Sequence, residues 1–251
     1  MYSFRLKRQR PIKQQEKIQK QQEKIQKQQE KIQKQQEKIK KKMSVMPWDN
    51  NSLDERIIPL NIFLTWKTKK LHPDMLENIN SLKKENPEFN YFLYDDHDCR
   101  EFIKNNFNED VLYSFDCLIP GAYKADLWRY CVLYKYGGIY LDIKYRCVNN
   151  FKLISLTMQE HFPCDVVLKE YPTEPYKGVW NALIVSKPNN QKLLNAVNQI
   201  AVNVKNKYYG KGPLDPTGPV MFGKFFTDYE KQNSIVKRYV DNNNEGASIN
   251  N

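Results

Sequence analysis

Two carboxylates and a guanidinium stand close together in residues 121–146, GAYKADLWRYCVLYKYGGIYLDIKYR. Asp126 and Arg129 lie three apart in a stretch of helical pattern, so they share one face. Asp142 follows after Gly137-Gly138, near the end of an alternating apolar segment. Carboxylates accept sugar or ribose hydroxyls, and arginine neutralises phosphate oxygens bidentately, so the trio suits a nucleotide sugar. A plainer chemistry is open to the same residues. Asp126 and Arg129 can form an ordinary i,i+3 ion pair, and Asp142 can pair with Lys144 on the same strand face.

The elements that must position these residues read as alternating strands and helices. Ile57 to Trp66 is apolar, β-branched and aromatic, with Pro59 limiting where the strand begins. Asp74 to Lys84 reads as a helix ended by Asn86-Pro87. Phe89 to Tyr94 is a short strand, and Asp95-Asp96 supplies an N-cap for a helix through Phe102 and Ile103. Ala122 to Tyr136 is a helix closed by Gly137, which takes the left-handed cap. Ile139 to Tyr145 alternates, with Ile139, Leu141 and Ile143 on one face and Tyr140, Asp142 and Lys144 on the other. Val166 to Leu168 and Val179 to Val185 are further strands, and Asn190 to Val204 is a helix. This interleaving predicts an α/β sheet with helices on both faces, and a ligand beyond the carboxyl ends of its strands.

Charge divides the chain. The formal net charge is +11 over 251 residues. Residues 1–42 hold 15 Lys and Arg against 4 Glu, whereas residues 43–251 hold 25 bases and 25 acids. The excess therefore belongs to a tail in which QQEKIQK occurs three times and QQEKIKK once. Glu precedes Lys by four residues in every copy, a helix-favouring order worth about 0.2–0.5 kcal/mol a pair. One Ile per heptad (Ile18, Ile25, Ile32, Ile39) is too little for a stable coiled-coil seam. The tail is read as a helical or disordered charged segment, with weak self-association or anion binding as its conceivable partners' chemistry. Residues 43–251 suit one domain. No apolar run is long enough to cross a membrane and Met1 to Arg10 lacks the apolar core of a signal peptide, so a soluble, cytoplasmic protein is expected. Five cysteines without a CxxC pair are expected to be reduced and mostly buried. His72, His97 and His161 are scattered, without metal-ligand spacing. The Asn-, Lys- and Ile-rich composition is that of an AT-rich coding genome, such as a large DNA virus or an intracellular microbe.

The 121–146 segment resembles the signature of the DXD sugar-binding glycosyltransferases, family 32, whose relatives include yeast initiating α-1,6-mannosyltransferases and, more distantly, clostridial toxin glucosyltransferases. The family pattern A-D-x-x-R-Y is matched by Ala125-Asp126-Leu127-Trp128-Arg129-Tyr130. Its Y-G-G-I-Y-x-D-x-D is matched by Tyr136-Gly137-Gly138-Ile139-Tyr140-Leu141-Asp142. Ile62 to Lys67 resembles the opening I-H-Q-T-W-K strand, and Asn86-Pro87 with Tyr91 to Asp95 resembles N-P followed by L-W-D. Trp180-Asn181-Ala182 and Thr217-Gly218-Pro219 resemble later N-A and T-G-P segments. The fold implied is GT-A, a Rossmann-like nucleotide-sugar-binding domain.

The resemblance implies roles position by position. Trp66 would stack near the nucleobase and Tyr140 would line the nucleotide pocket. Asp126 would hold sugar or ribose hydroxyls, Arg129 would sit near the donor sugar and diphosphate, and Asp142 would face the donor. Asn181 is a candidate for the donor or acceptor side. The implied activity is sugar transfer from a nucleotide-sugar donor with retention of configuration. The family generally uses a divalent cation, often Mn²⁺, with Asp142 as ligand here. This chain departs from the pattern at the second Asp of D-x-D, which is Lys144. Three readings stay open. Asp142, the diphosphate and waters hold the metal; Lys144 itself neutralises the diphosphate; or the site only binds nucleotide. Lys187 to Asn190 also lacks the family's His, and after Thr217-Gly218-Pro219, where family members often supply further site residues, this chain has only a polar Asn-rich tail, Asp241 to Asn251, so a C-terminal ligand is expected to be missing.

Overall fold

A computed structural model of the chain describes residues 26, 56–165, 178–241 and 244–249. Apart from Gln26, the repeat tail and every expectation placed on it lie outside the described residues, as does the strand expected at Val166 to Leu168. Residues Glu55–Asn251 form one compact unit.

The main sheet has four strands, β1 (Asn61–Thr65), β2 (Asn90–Tyr94), β3 (Gly138–Leu141) and β6 (Leu183–Ser186), in the order β2-β1-β3-β6. β1 runs parallel to both neighbours, with Phe63 opposite Phe92 and Tyr140, while β6 closes the edge antiparallel to β3. Alternation sorts the side chains. Phe63, Tyr140 and Ile184 face a core built with α2 (Asp96–Asn106), α3 (Glu109–Cys117), α4 (Gly121–Tyr136) and α5 (Gln191–Lys205). Ile62, Leu64, Ile139, Leu141 and Val185 face a second core with α1 (Pro73–Glu85) and the 3₁₀ turn Leu153–Leu156. Helices thus cover both faces, as the sequence pattern predicts.

Local chemistry explains the element ends. Asp95 caps α2 in a reciprocal box with Asp98, satisfying backbone donors that the helix leaves open. α4 carries almost no amphipathic stripe because Asp126 to Leu133 are all buried, as expected for a helix packed on every side. It ends at Gly137, whose φ is +62°. Gly138 (φ +119°) is pressed against β1, where an added Cβ would meet the Asn61 carbonyl at 2.6 Å. The two glycines therefore let a buried helix turn straight into a central strand.

Four readings change. The strand expected over Ile139 to Tyr145 stops at Leu141, because Asp142 turns the chain: Tyr145 donates its backbone N–H to the Asp142 carbonyl at 2.9 Å. The strand expected over Val179 to Val185 is two strands. β5 (Gly178–Val179) pairs with β4 (Cys164–Asp165), and Trp180 to Ala182 then cross to the main sheet, where β6 begins. α3 was not anticipated, though Asn108 caps it through the Val111 N–H at 3.1 Å. The polar stretch near the C-terminus, where the sequence pattern predicts no strand, forms two: β7 (Val236–Asp241) and β8 (Asn244–Ile249) are antiparallel, in a second sheet ordered β5-β4-β7-β8. The remaining helices are α6 (Pro219–Gly223) and α7 (Asp228–Gln232). None of the five cysteines is in a disulfide, and three of them are buried.

Candidate functional site

The carboxyl ends of the parallel strands β1 and β3 lie side by side, and a cavity of about 460 Å³ opens beyond them. Its walls are Thr65 at the end of β1 with Trp66 and Lys67 after it, Tyr140 of β3 with Asp142, Ile143, Lys144 and Tyr145 after that strand, Gly121, Ala122, Ala125 and Arg129 of α4, and Asp96 of α2. The volume lies within the range of small-molecule pockets, at the strand edge where α/β sheets bind ligands.

Arg129 is the hub. It is 5% exposed. Its Nε donates to the Ala125 carbonyl at 3.2 Å and its Nη1 to the Asn181 carbonyl at 2.6 Å. Ion pairs run from Nη2 to Asp126 (3.2 Å) and from Nη1 to Asp142 (3.4 Å). The guanidinium lies 4.3 Å over the Tyr140 ring, a cation–π contact. Burial works against its charge, yet Tyr140, Asp142 and Asp126 around it hold it above the ordinary arginine value.

Asp126 sits behind this hub and does not line the cavity. Both its oxygens are spent internally: Oδ1 accepts from Asn181 Nδ2 at 2.8 Å and Oδ2 from Thr217 Oγ1 at 2.7 Å. Burial pushes Asp126 above the usual carboxylate range, against Arg129, Thr217 and Asn181, which pull it down. The i,i+3 ion pair foreseen as a plain alternative is therefore present, within a larger network. Asn181 belongs to that network too. Its amide also donates to the Tyr130 hydroxyl at 2.8 Å, and it is absent from the cavity wall. Its position follows from the Trp180–Ala182 crossing, which also supplies the Ala182 carbonyl to the Asp142 N–H at 2.9 Å.

Asp142 faces outward, its side chain 37% exposed. Oδ1 accepts from the Tyr140 hydroxyl at 2.6 Å. Burial pushes the Tyr140 phenol well above its ordinary value, so it stays a donor. Trp66 is half-buried in the wall, its backbone N–H donating to the Tyr94 carbonyl at 3.1 Å. Lys144 is exposed at the wall and does not pair with Asp142; among the described residues it makes no ion pair. The structure thus gathers Trp66, Arg129, Tyr140, Asp142 and Lys144 at one cavity and places Asp126 and Asn181 behind it.

Sequence reasoning missed several supports. Thr217 was noticed only as part of T-G-P; its hydroxyl caps Asp126. Tyr130, which ends the A-D-x-x-R-Y match, is buried in the core, and its hydroxyl donates to the Thr217 carbonyl at 3.3 Å. Asn78 of α1 donates to the Ile143 and Tyr145 carbonyls at 2.9 and 2.8 Å and pins the turn after Asp142. Nothing in the sequence near Asn78 signals this. Lys67 and Asp96 were legible in principle, since one follows a strand end and the other opens a helix.

The divalent cation carried by the resemblance is tested by the donor set. Among the described residues, no group of three His, Cys, Asp or Glu is placed to hold a metal ion. Asp142 offers one carboxylate whose Oδ1 already serves Tyr140 and Arg129. The wall carries three cationic side chains, Lys67, Arg129 and Lys144, against two carboxylates, Asp96 and Asp142. Hard divalent cations want several oxygen ligands and negative charge, and these residues do not fit one.

Residues 72–163 match the family described as glycosyltransferase sugar-binding region containing DXD motif. Inositol phosphoceramide mannosyltransferase 3 of Schizosaccharomyces pombe is 37% identical over 90 residues, 36% of this chain and 25% of that protein. Uncharacterized glycosyltransferase L373 of Acanthamoeba polyphaga mimivirus is 32% identical over 171 residues, 66% of this chain and 59% of that protein. The chain thus spans a quarter of the first relative's length and 59% of the second's. Among solved structures, PaToxG Glycosyltransferase superposes with a TM-score of 0.51 at 22% identity, over 67% of this chain and 68% of that one. The fold is that of GT-A glycosyltransferase domains, as the resemblance implied. No helix among the described residues is long and apolar enough to cross a membrane.

Proposed function

We propose that this chain, whose residues 72–163 match the DXD-containing glycosyltransferase sugar-binding family, transfers a hexose from a nucleotide-sugar donor to an acceptor hydroxyl with retention of configuration. The observation that carries the reading is Asp142, a partly exposed carboxylate held by Tyr140 and Arg129 at the mouth of a 460 Å³ cavity beyond the strand ends. A mannosyl donor is the first choice, on the printed name of the Schizosaccharomyces relative.

The residues divide the work. Trp66 offers the donor base a flat apolar surface at the end of β1. Asp142 accepts hydroxyls of the donor sugar through its partly exposed carboxylate, whose Oδ1 is fixed by Tyr140. In the transfer, the bond from the anomeric carbon to the diphosphate oxygen breaks and both electrons leave on the diphosphate. The acceptor oxygen bonds the same face of the sugar, and its proton passes to the departing phosphate oxygen. Negative charge grows on the diphosphate, so cationic groups fixed in advance at that wall lower the barrier. Arg129 contributes its field while acting chiefly to orient Asp142. Asp126, Asn181 and Thr217 act through Arg129 as positioning residues.

A thermal-shift screen of nucleotide sugars, with the matching nucleoside diphosphates as controls, tests the reading. At least one donor is expected to raise the melting temperature of the wild type and not of Asp142→Asn. A screen in which no nucleotide or nucleotide sugar shifts the wild type would sink the donor-site reading. A second reading, a protein that binds nucleotide sugars without transfer, is favoured by the single observation that Lys144 stands where the family places a carboxylate. Donor binding without turnover would select it.

A further inference from the structure

We infer that Lys144 takes the place of a divalent cation, its ammonium holding the donor diphosphate directly, so that this chain binds its donor without metal. The inference rests on the donor-site reading above and concerns how that site handles charge.

Three observations carry it. First, Lys144 is the exposed residue of a fixed turn. The Tyr145 N–H closes the turn on the Asp142 carbonyl at 2.9 Å, and Asn78 ties the Ile143 and Tyr145 carbonyls to α1. The backbone on both sides of Lys144 is thereby anchored, while its own side chain lines the cavity. Second, the other cations at the wall have carboxylates to act on. Arg129 is spent on Asp126, Asp142 and two backbone carbonyls. Lys67 shares the wall with Asp96, the remaining carboxylate there. Neither Lys67 nor Lys144 makes an ion pair among the described residues, but the charge of Lys67 acts on Asp96, whereas Lys144 stands exposed on the turn after Asp142. Third, the carboxylates are too few and too engaged for a metal. Among the described residues no trio of ligating side chains exists, and Asp142 Oδ1 is held by Tyr140 and Arg129.

An ammonium cannot ligate a cation and repels one, but it binds phosphate as a compact point charge. Replacing the second carboxylate of D-x-D by lysine therefore changes two things at once. It removes a metal ligand and supplies the positive charge that the metal would have brought to the diphosphate.

The test is titration of the full chain with GDP and with UDP, in EDTA and in excess Mn²⁺, for wild type, Lys144→Met and Lys144→Asp, each first checked for an unchanged thermal midpoint. The wild type is expected to bind at least one of the two in EDTA, with affinity changed less than about twofold by Mn²⁺. Loss of one charge-assisted contact in Lys144→Met is expected to weaken binding by about tenfold or more. Lys144→Asp, which restores D-x-D, is expected to lose binding in EDTA and regain it with Mn²⁺. Wild-type binding that requires Mn²⁺, or Lys144→Met binding as tight as wild type, overturns the inference while the donor-site reading stands. Binding of neither nucleotide in either buffer overturns both.

Discussion

Asp142 is useful because its two oxygens have different surroundings. Oδ1 is anchored by the Tyr140 hydroxyl at 2.6 Å and by Arg129, whereas the side chain as a whole remains 37% exposed. Tyr140→Phe removes the anchor and keeps the ring under Arg129. A hydrogen bond to a charged group is worth about 1.5–3 kcal/mol, so transfer is expected to slow roughly tenfold or more with little change in folding stability. Steady-state rates and a thermal melt on the same preparation check this; an equal fall in stability would mean that the hydroxyl serves the fold instead. Thr217→Val makes the opposite case. The Asp126 carboxylate is buried and loses a 2.7 Å donor. An unsatisfied buried acceptor costs about 1–3 kcal/mol, so urea unfolding should shift by that amount. At this scale the sequence was informative about which residues matter and silent about direction. Asp126 and Asp142 look alike in a string, yet one is enclosed by Thr217, Asn181 and Arg129 and the other opens outward. Those partners come from segments far apart in the chain.

The elements decide that difference. α4 passes through Gly137-Gly138 into β3 with no loop between them, so Arg129 and Asp142 keep a short, rigid connection. This unit was legible because helical spacing, the glycine pair and strand alternation agree locally. The Trp180–Ala182 crossing was not legible: Val179 to Val185 reads as one apolar strand, and only pairing with two different sheets divides it. Likewise the C-terminal hairpin has no apolar alternation, so polarity concealed it. The turn after β3 makes the same point, since its register is set by Asn78 on a distant helix. Asn78→Ala is expected to raise KM for the donor several-fold, about what one or two lost hydrogen bonds cost, while kcat stays closer to wild type. Donor titration alongside initial rates separates the two parameters; a kcat defect with unchanged KM would show that the turn governs chemistry rather than binding.

For the whole molecule, charge and pH behave as separable properties. The body has equal numbers of bases and acids, and the excess of +11 lies in residues 1–42. Deleting that tail is expected to leave donor affinity unchanged and to abolish salt-sensitive retention on an anionic column; retention that survives deletion would relocate the anion-binding surface to the body. Acid stability has a distinct source in His161, which is buried with Nε2 unpartnered. Burial holds its imidazole below the ordinary value, outweighing the Leu156 backbone. Below about pH 6.5 the unfolded chain gains a proton that the folded chain resists. The stability tied to neutral His161 is therefore complete above that pH and is lost as pH falls toward the lowered folded value. Urea midpoints between about pH 7 and pH 5 should decline, and His161→Asn should flatten the decline. The central claim is that the cavity beyond β1 and β3 is a sugar-transfer site with Asp142 facing the donor. Its most direct test is the rate of nucleoside diphosphate release from a panel of nucleotide sugars, by wild type and by Asp142→Asn of equal thermal midpoint. The account predicts that at least one donor is turned over by the wild type and that Asp142→Asn loses about a hundredfold or more of that rate; the same rate in both proteins would contradict it.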